Sequence, residues 1–242
     1  MLGPRPVPSS RQNRNPPMLR STGRSKAMWR IAPTVSYRMR WNEAMVAVLV
    51  SLIGGYLAGS VPVALLVARA HGFDPREVGD RNPGFWNMKE QLGWRAAVPV
   101  FAGDTLKGTA AGLLGLFAGG GHVGEWAVVV PPSVLPVYVA VAGAMLGHAW
   151  PVFAGFRGGR SILAFAGGVA VICLPAFLLA VLALVLVSLV TRSFAVGARV
   201  AVFGVPVLHL LFVPAPQVAA TGALLCLIGL RFGQAALASQ RP

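Results

Sequence analysis

The chain has 242 residues, of which 55% are apolar and only 12% are charged, and its mean hydropathy is +0.67. Soluble globular domains carry about twice that charged fraction, so the composition excludes a water-soluble core and predicts an all-α, polytopic integral membrane protein. The formal net charge is +14, but residues 1–41 hold nine of the 21 basic side chains and no acidic one, so the charge excess belongs mostly to a tail.

That tail is rich in Pro, Ser, Arg and Asn and shows no apolar periodicity, which predicts disorder over residues 1–41. Such a tail can touch anionic lipid or RNA, but we expect no specific recognition of nucleic acid. A single transmembrane domain is expected over residues 42–235, followed by a short tail at 236–242. Cys173 and Cys226 lie inside apolar runs with neither disulfide nor metal spacing, so we expect them to be small core or lipid-facing residues.

The first apolar stretch, about residues 44–68, is long enough to span a membrane. Within it, Gly55 and Gly59 form a small-xxx-small pattern that can seat a neighbouring helix. The stretch then reaches Ser60, two positions before Pro62. Local bending of the helix end is one interpretation of this pair, and a binding role for Ser60 is the other.

A polar connection, about residues 71–94, follows the first stretch and holds four of the seven acidic residues. Its closely spaced Asn, Gly and Pro residues are typical of turns, and long ordered loops are disproportionately functional. The candidate binding residues in this connection are Arg76, Asn82, Gly84 and Asn87.

Asp104 and Lys107 lie within the second apolar stretch, about residues 95–118, and share one helix face because they are three residues apart. One interpretation is an ion pair with a packing role only. In the other, Asp104 orients Lys107 toward a ligand, and charged residues inside membrane segments are functional by default.

Six further apolar stretches follow the first, and the two on either side of Pro175 form either two helices or one kinked helix. If they are two, every connection that contains Arg or Lys falls on the same side of the membrane, as the positive-inside rule favours. The sequence therefore predicts about seven transmembrane helices, several of them short or broken, with the charged loops in the cytoplasm. The six stretches cover about residues 95–118, 127–146, 161–174, 176–190, 200–212 and 218–230.

The same parity places the basic tail on the opposite side, which conflicts with its charge. A native start at Met39 or Met45 would remove the conflict, because residues 1–41 would then be an artefact of start-codon choice. Recovery of residues before Met39 from the native protein would exclude this explanation.

A polar stretch at residues 147–160 separates the third and fourth apolar stretches and contains His148, two arginines and four glycines. We expect Gly158 and Gly159 to adopt positive φ and to turn their N–H groups toward an anion, with Arg160 beside them. This combination suits phosphate, whereas the alternative is a basic loop at the lipid headgroups. His148 is either a general base or a structural residue of the turn.

Taken in order, these motifs resemble the bacterial acyl-phosphate:glycerol-3-phosphate acyltransferase family over about residues 44–231. The matches to family patterns are Gly59-Ser-Val-Pro62 with Gly-Ser-x-Pro, Asp74-Pro-Arg76 with Asp-x-Arg, Gly79 to Asn87 with Gly-Ser-Gly-Asn-x-Gly-Ala-Thr-Asn, Asp104-Thr-Leu-Lys107-Gly with Asp-x-x-Lys-Gly, and Gly147 to Arg160 with a Gly-His-x-Phe-Pro-x-Phe run that ends in Phe-x-Gly-Gly-Lys-Gly. Thr191-Arg192 resembles a further basic site.

The resemblance implies an enzyme of the bacterial inner membrane that transfers a fatty acyl group from acyl phosphate to the sn-1 hydroxyl of glycerol 3-phosphate. It implies no metal and no cofactor, and it leaves the oligomeric state open. His148, Lys107 and Asp104 would be catalytic. The implied substrate-binding residues are Ser60, Arg76, Asn82, Gly84, Asn87, Gly158, Gly159, Arg160 and Arg192.

The chain also departs from the family patterns, most clearly at the closing motif Arg-His-x-x-Asn-Ile, where Phe232 and Ala235 replace His and Asn. The other departures are Asp80 for Ser, Arg81 for Gly, Phe85-Trp86 for Ala-Thr and Arg160-Ser161 for Lys-Gly. These departures keep open a catalytically inactive relative that binds lipid or a partner. A transporter or channel for a small anion is a second alternative, although the sequence has no internal repeat.

Overall fold

The computed structural model describes Gly3 and residues 40–240, apart from the side chain of Ser239. The basic tail predicted over residues 1–41 therefore lies almost entirely outside the described residues. Within the described range the chain forms α-helices, short 3-10 turns and two isolated β-bridges. The helices are α1 Trp41–Gly59, α2 Val63–Ala70, α3 Phe85–Leu92, α4 Trp94–Ala118, α5 Val134–Ala149, α6 Ile162–Ile172, α7 Leu174–Thr191, α8 Phe194–His209 and α9 Ala215–Ser239.

Four helical segments of the described chain are long and apolar enough to cross a membrane: Trp41–Ala70, Val134–Ala154, Leu174–Thr191 and Ala215–Ala238. Helices α6 and α8 are apolar but shorter. Large apolar side chains stand exposed along α7, where Leu189 is 71% exposed, as expected of a surface that faces lipid. The predicted all-α, integral membrane class is confirmed, while the number of spans stays a prediction.

The helical conformation is interrupted between α6 and α7 at Cys173, whose backbone is extended with φ −156° and ψ 90°. Pro175 then occupies the first turn of α7, where its missing N–H group leaves no helical hydrogen bond unmade. The two-helix interpretation of this region is therefore confirmed. The predicted start of the third stretch at residue 127 is wrong, because the Val129 N–H group donates to the Ile172 carbonyl (2.9 Å) and α5 begins only at Val134.

Small residues let the long helices approach closely. A Cβ atom at Gly59 would collide with the carbonyl of Ala144, so the backbones of α1 and α5 are in direct contact. A Cβ atom at Gly108 would likewise collide with the carbonyl of Ala164, which joins α4 to α6. The predicted role of Gly59 in seating a neighbouring helix is confirmed.

The connections that carry basic residues gather at one end of this bundle. Asp104 of α4 lies beside His148 at the end of α5, and a Cβ atom at Gly115, near the end of α4, would collide with Pro136 at the start of α5, so α4 and α5 run antiparallel. Phe194 at the start of α8 stacks on Trp86 of α3 with ring centroids 5.6 Å apart. Arg231 of α9 bonds to Gly159. The structure thus assembles one polar end from distant parts of the chain. Helix α9 also continues past the expected domain boundary at residue 235.

Candidate functional site

A cleft opens at this polar end, between the break that separates α1 from α2, the polar connection before α3, the middle of α4 and the loop after α5. Four separate stretches of sequence contribute to it, which explains why no single motif defines the site. Its charged and polar side chains are Arg76, Asp104, Lys107, His148 and Arg157, and the backbone of Gly158 and Gly159 completes the lining.

Asp104 and Lys107 form an ion pair inside the cleft. Lys107 Nζ lies 2.9 Å from Asp104 Oδ1, and the side chains are 7% and 2% exposed. Lys107 Nζ also donates at 3.3 Å to the carbonyl of Val61, which lies in the break after α1 and accepts the Val63 N–H group as well (3.1 Å). These two bonds leave a third N–H donor on an ammonium group that lines the cleft.

His148 stands next to this pair in the last turn of α5. Its Nδ1 lies 3.7 Å from Asp104 Oδ1, beyond hydrogen-bond distance, and has no hydrogen-bond partner among the described residues. The imidazole is 7% exposed. A Cβ atom at Gly159 would collide with Nε2, so glycine at that position makes room for the ring.

The predicted anion nest at Gly158 and Gly159 is wrong. Neither glycine adopts positive φ, and their N–H groups donate to the carbonyls of Ala149 (3.2 Å) and His148 (3.0 Å). Glycine is required for close packing instead, because a Cβ atom at Gly158 would collide with the His148 carbonyl. The left-handed conformations of this loop fall on Gly155, Phe156 and Ser161.

Arg231 secures the loop from the other side, and the sequence did not identify it as a site residue. Its Nε donates to the Gly159 carbonyl (3.2 Å), its Nη2 to the Gly158 carbonyl (2.9 Å), and its guanidinium lies 5.0 Å from the centre of the Trp150 ring. An arginine that follows an apolar stretch is normally a terminal membrane charge. The one signal in the sequence is that Arg231 opens the closing motif, and the tertiary contacts show what it holds.

Arg76 reaches the cleft from the polar connection. Its Nε and Nη2 bond both carboxylate oxygens of Asp74 at 2.6 to 3.0 Å, and its Nη1 donates to the Ala154 carbonyl at 3.0 Å. The hydrogen-bonded guanidinium lowers the pKa of Asp74 below its usual value, and the same pair raises the pKa of Arg76. The cation is therefore fixed at the cleft wall.

Asn87 organises the polar connection and does not line the cleft. Its side chain is fully buried, and its Nδ2 donates to the carbonyls of Pro75, Val78 and Asn82 at 2.8 to 3.2 Å. Gly84 caps the start of α3 in an extended conformation. A Cβ atom at Gly84 would lie 2.8 Å from Asn82 Nδ2, so this glycine leaves room for the Asn82 amide.

Ser60 and Arg192 also stand apart from the cleft lining. The Ser60 hydroxyl donates to the Tyr56 carbonyl at 2.8 Å. A bond from Ser to the carbonyl four residues earlier bends the end of a helix, so the local interpretation of Ser60 fits the structure. Arg192 lies in a left-handed turn between α7 and α8 with an exposed side chain. The structure does not bring Arg192 to the other candidate residues.

Arg160 brings three departures from the family patterns into contact. Its Nη1 lies 2.8 Å from Asp80 Oδ2, and its guanidinium lies 4.6 Å from the centre of the Phe232 ring. The loop after α5, the polar connection and the end of α9 therefore meet at one side chain.

A family sequence model described as glycerol-3-phosphate acyltransferase matches residues 49–236. A glycerol-3-phosphate acyltransferase of Rubrobacter xylanophilus is 44% identical over 123 residues, which cover 51% of this chain and 55% of the relative. One from Geobacillus kaustophilus is 40% identical over 147 residues, which cover 59% and 66%. The chain thus spans less than two thirds of these two relatives. One from Vibrio campbellii is 35% identical over 179 residues, which cover 74% and 81%.

Two crystal structures share the fold. Both are of PlsY (YgiH), an integral membrane glycerol 3-phosphate acyltransferase, in its glycerol 3-phosphate and lysophosphatidic acid forms. The identity is 24%, the TM-scores are 0.65 and 0.62, and the likeness covers 79% and 78% of this chain and 88% and 87% of the solved chains. Likeness at this identity shows the membrane fold.

Proposed function

The chain belongs to the glycerol-3-phosphate acyltransferase family, and from this premise we propose that it transfers a fatty acyl group from acyl phosphate to the sn-1 hydroxyl of glycerol 3-phosphate. The products would be lysophosphatidic acid and inorganic phosphate. The observation that carries the proposal is the cleft, which gathers the cations Arg76, Lys107 and Arg157 around His148 at one end of the helical bundle.

Both substrates are anions, so the site must neutralise charge where the reacting groups meet. Lys107 has a free N–H donor, and Arg76 is held in place by Asp74 and the Ala154 carbonyl. Preorganised cations of this kind stabilise the charge that develops in the transition state without reorganising. Acyl phosphate is already activated, so positioning and charge stabilisation supply most of the acceleration.

In the reaction, the sn-1 hydroxyl oxygen forms a new ester bond to the carbonyl carbon, the bond from that carbon to the phosphate oxygen breaks, and the hydroxyl proton passes to a base. His148 is our candidate for this base because its imidazole lines the cleft and its Nδ1 has no hydrogen-bond partner among the described residues. Asp104 holds Lys107, and its carboxylate, 3.7 Å from Nδ1, would stabilise the positive charge of the imidazolium that forms. The leaving phosphate is the alternative proton acceptor.

We place the protein in the bacterial inner membrane with the cleft facing the cytoplasm. The support is the gathering of basic connections at the cleft end, which the positive-inside rule assigns to the cytoplasmic side. Membership of an acyltransferase family argues against the transporter alternative. Membrane lipid and the two phosphate-bearing substrates are the partners that this proposal requires.

The proposal is tested by phosphate release from palmitoyl phosphate in detergent micelles, with and without glycerol 3-phosphate. Lys107→Ala should abolish the acceptor-dependent release. Lys89→Ala is the matched control, because Lys89 lies over the rings of Trp86 (4.4 Å) and Trp94 (5.2 Å), outside the cleft.

The possible results separate the candidate functions. Phosphate release that does not depend on glycerol 3-phosphate would support acyl phosphate as the donor and exclude glycerol 3-phosphate as the acceptor. If the protein is folded and releases no phosphate under either condition, the result would favour a catalytically inactive relative over an enzyme.

A further inference from the structure

Two Arg–Asp pairs flank the cleft, and they differ in strength. Asp74 and Arg76 share bidentate bonds, and Asp74 Oδ1 also accepts the Arg76 backbone N–H group at 2.9 Å. Asp80 and Arg160 share a single bond of 2.8 Å, and their side chains are 31% and 22% exposed. Exposed single-bond pairs contribute little to stability and exchange readily with other ions. The second pair is therefore the one that an incoming anion can open.

Arg160 has donors to spare. Asp80 engages only Nη1, and Nε is buried with no hydrogen-bond partner among the described residues. The guanidinium also lies over the Phe232 ring, a contact that uses none of its N–H donors. A guanidinium with unused N–H groups suits the oxygens of a phosphate group, which accept bidentate bonds.

Asp80 and Arg160 lie immediately beside the cleft, each on one of the two loops that help to line it: the polar connection before α3 and the loop after α5. Arg160 follows Gly159, a lining residue, and Asp80 Oδ1 accepts the backbone N–H group of Asn82 (3.1 Å), whose neighbour Pro83 also lines the cleft. The Asn82 side chain itself faces Gly159, because a Cβ atom there would lie 3.3 Å from Asn82 Oδ1. A change in this ion pair therefore acts on groups at the cleft wall.

We propose that Asp80 is a resident counter-ion of Arg160, which the phosphate group of a substrate displaces when it binds. This inference rests on the proposed acyltransferase function and adds a residue that sets substrate affinity. A phosphate monoester carries more negative charge than a carboxylate and offers three acceptor oxygens. The phosphate group then pairs with Arg160, and the exposed Asp80 carboxylate becomes solvated by water. Asp80 therefore lowers the apparent affinity of this site for phosphate by occupying its cation.

The experiment compares Asp80→Asn with the native protein in detergent, using inorganic phosphate as the probe and the shift of the unfolding temperature as the readout. The variant should bind phosphate about 3- to 10-fold more tightly, because a competent fraction of about 10 to 30% rises to nearly one. The amide introduced by Asp80→Asn still offers a side-chain oxygen to the Asn82 N–H group, and Asp80→Ser serves as a second variant that keeps an acceptor there.

Glu90→Gln is the matched control, since Glu90 is exposed on α3 and its replacement removes the same charge away from Arg160. It should leave the phosphate affinity unchanged, and Arg160→Ala should abolish the gain from Asp80→Asn. Unchanged or weaker phosphate binding by both Asp80 variants would overturn the proposal. A gain of equal size from Glu90→Gln would also overturn it, because the effect would then be general electrostatics.

Kinetics then identify which phosphate group is bound. A lower KM for glycerol 3-phosphate with an unchanged kcat would assign the acceptor phosphate, and a lower KM for palmitoyl phosphate would assign the donor. Unchanged values of both KM would overturn the proposal even if inorganic phosphate binds more tightly. The thermal-shift measurement needs no turnover, so it tests the counter-ion role separately from the enzyme activity. If the native protein has no acyltransferase activity but Asp80→Asn still binds phosphate more tightly than the native protein does, the acyltransferase function is refuted and the counter-ion role is kept.

Discussion

Lys107 Nζ lies 2.9 Å from Asp104 Oδ1, and both side chains are more than nine-tenths buried in the middle of α4. Burying two charges costs desolvation energy that their attraction only partly offsets. A pair of well-packed apolar residues would serve packing at least as well. The presence of two buried charges, together with the cleft that Lys107 lines, favours a functional role over packing alone.

Replacing Lys107 with Met should therefore destabilise the protein, because Asp104 would remain as an uncompensated buried charge. We expect the free energy of unfolding to fall by about 3–5 kcal/mol. The double variant Lys107→Met with Asp104→Leu should recover most of that loss while staying inactive. Denaturant titration in detergent measures both changes, and equal stabilities for the single and double variants would contradict this account.

Gly159→Ala tests the packing of the loop against His148. The added Cβ atom would collide with His148 Nε2, so the imidazole or the loop must shift. A displacement of about 1 Å in a catalytic group costs roughly 100-fold in rate, so we expect kcat to fall by about 10- to 100-fold. The assay is acceptor-dependent phosphate release from palmitoyl phosphate.

Gly229→Ala provides the matched control in the same assay. Nothing lies within 4 Å of a Cβ atom at Gly229, which is exposed in α9. Alanine should leave kcat unchanged and stabilise the helix by about 0.5–1 kcal/mol. Equal losses of activity in the two variants would show that the collision with His148 is not the cause.

His148→Gln separates the two proton acceptors. If His148 is the base, kcat should fall by about 100- to 10,000-fold, and the acidic limb of the pH profile of kcat should disappear because no imidazole remains to be protonated. If the leaving phosphate takes the proton, the variant should keep most of its activity and the shape of its pH profile. Steady-state rates between about pH 5 and pH 9 distinguish these results.

Hydropathy and composition predicted the membrane class and most of the apolar segments, because lipid imposes long apolar helices on any chain that crosses it. They also predicted the separation of α6 from α7, through charge parity. They misplaced the start of α5, because residues before Val134 are apolar for another reason. Val128 and Val129 pair with the break at Cys173, and hydropathy cannot tell a lipid-facing residue from such a contact.

The candidate site shows the same division. Motif spacing identified Asp104, Lys107 and His148, and the fold brings them together. It assigned Gly158 and Gly159 the wrong conformation, because a glycine that admits positive φ and one that admits close packing look identical in sequence. Arg231 opens the closing motif but was not identified as a site residue, since its partners lie more than 70 residues away.

Asp74→Asn tests how the Arg76 guanidinium is held at the cleft wall. Because the ion pair lowers the pKa of Asp74, its stabilisation is fully present above the unfolded-state pKa of about 3.9 and is lost as the pH falls through the lower folded-state value. At pH 7 we expect the variant to be less stable by about 1 kcal/mol. The difference from the native protein should shrink as the pH is lowered below about 4, where the native carboxylate also becomes protonated.

Unfolding temperatures in detergent between about pH 3 and pH 7 measure this difference in stability, with Glu90→Gln as the control for loss of one acidic charge. A difference that stays constant over this range would mean that Asp74 acts through packing and not through its charge.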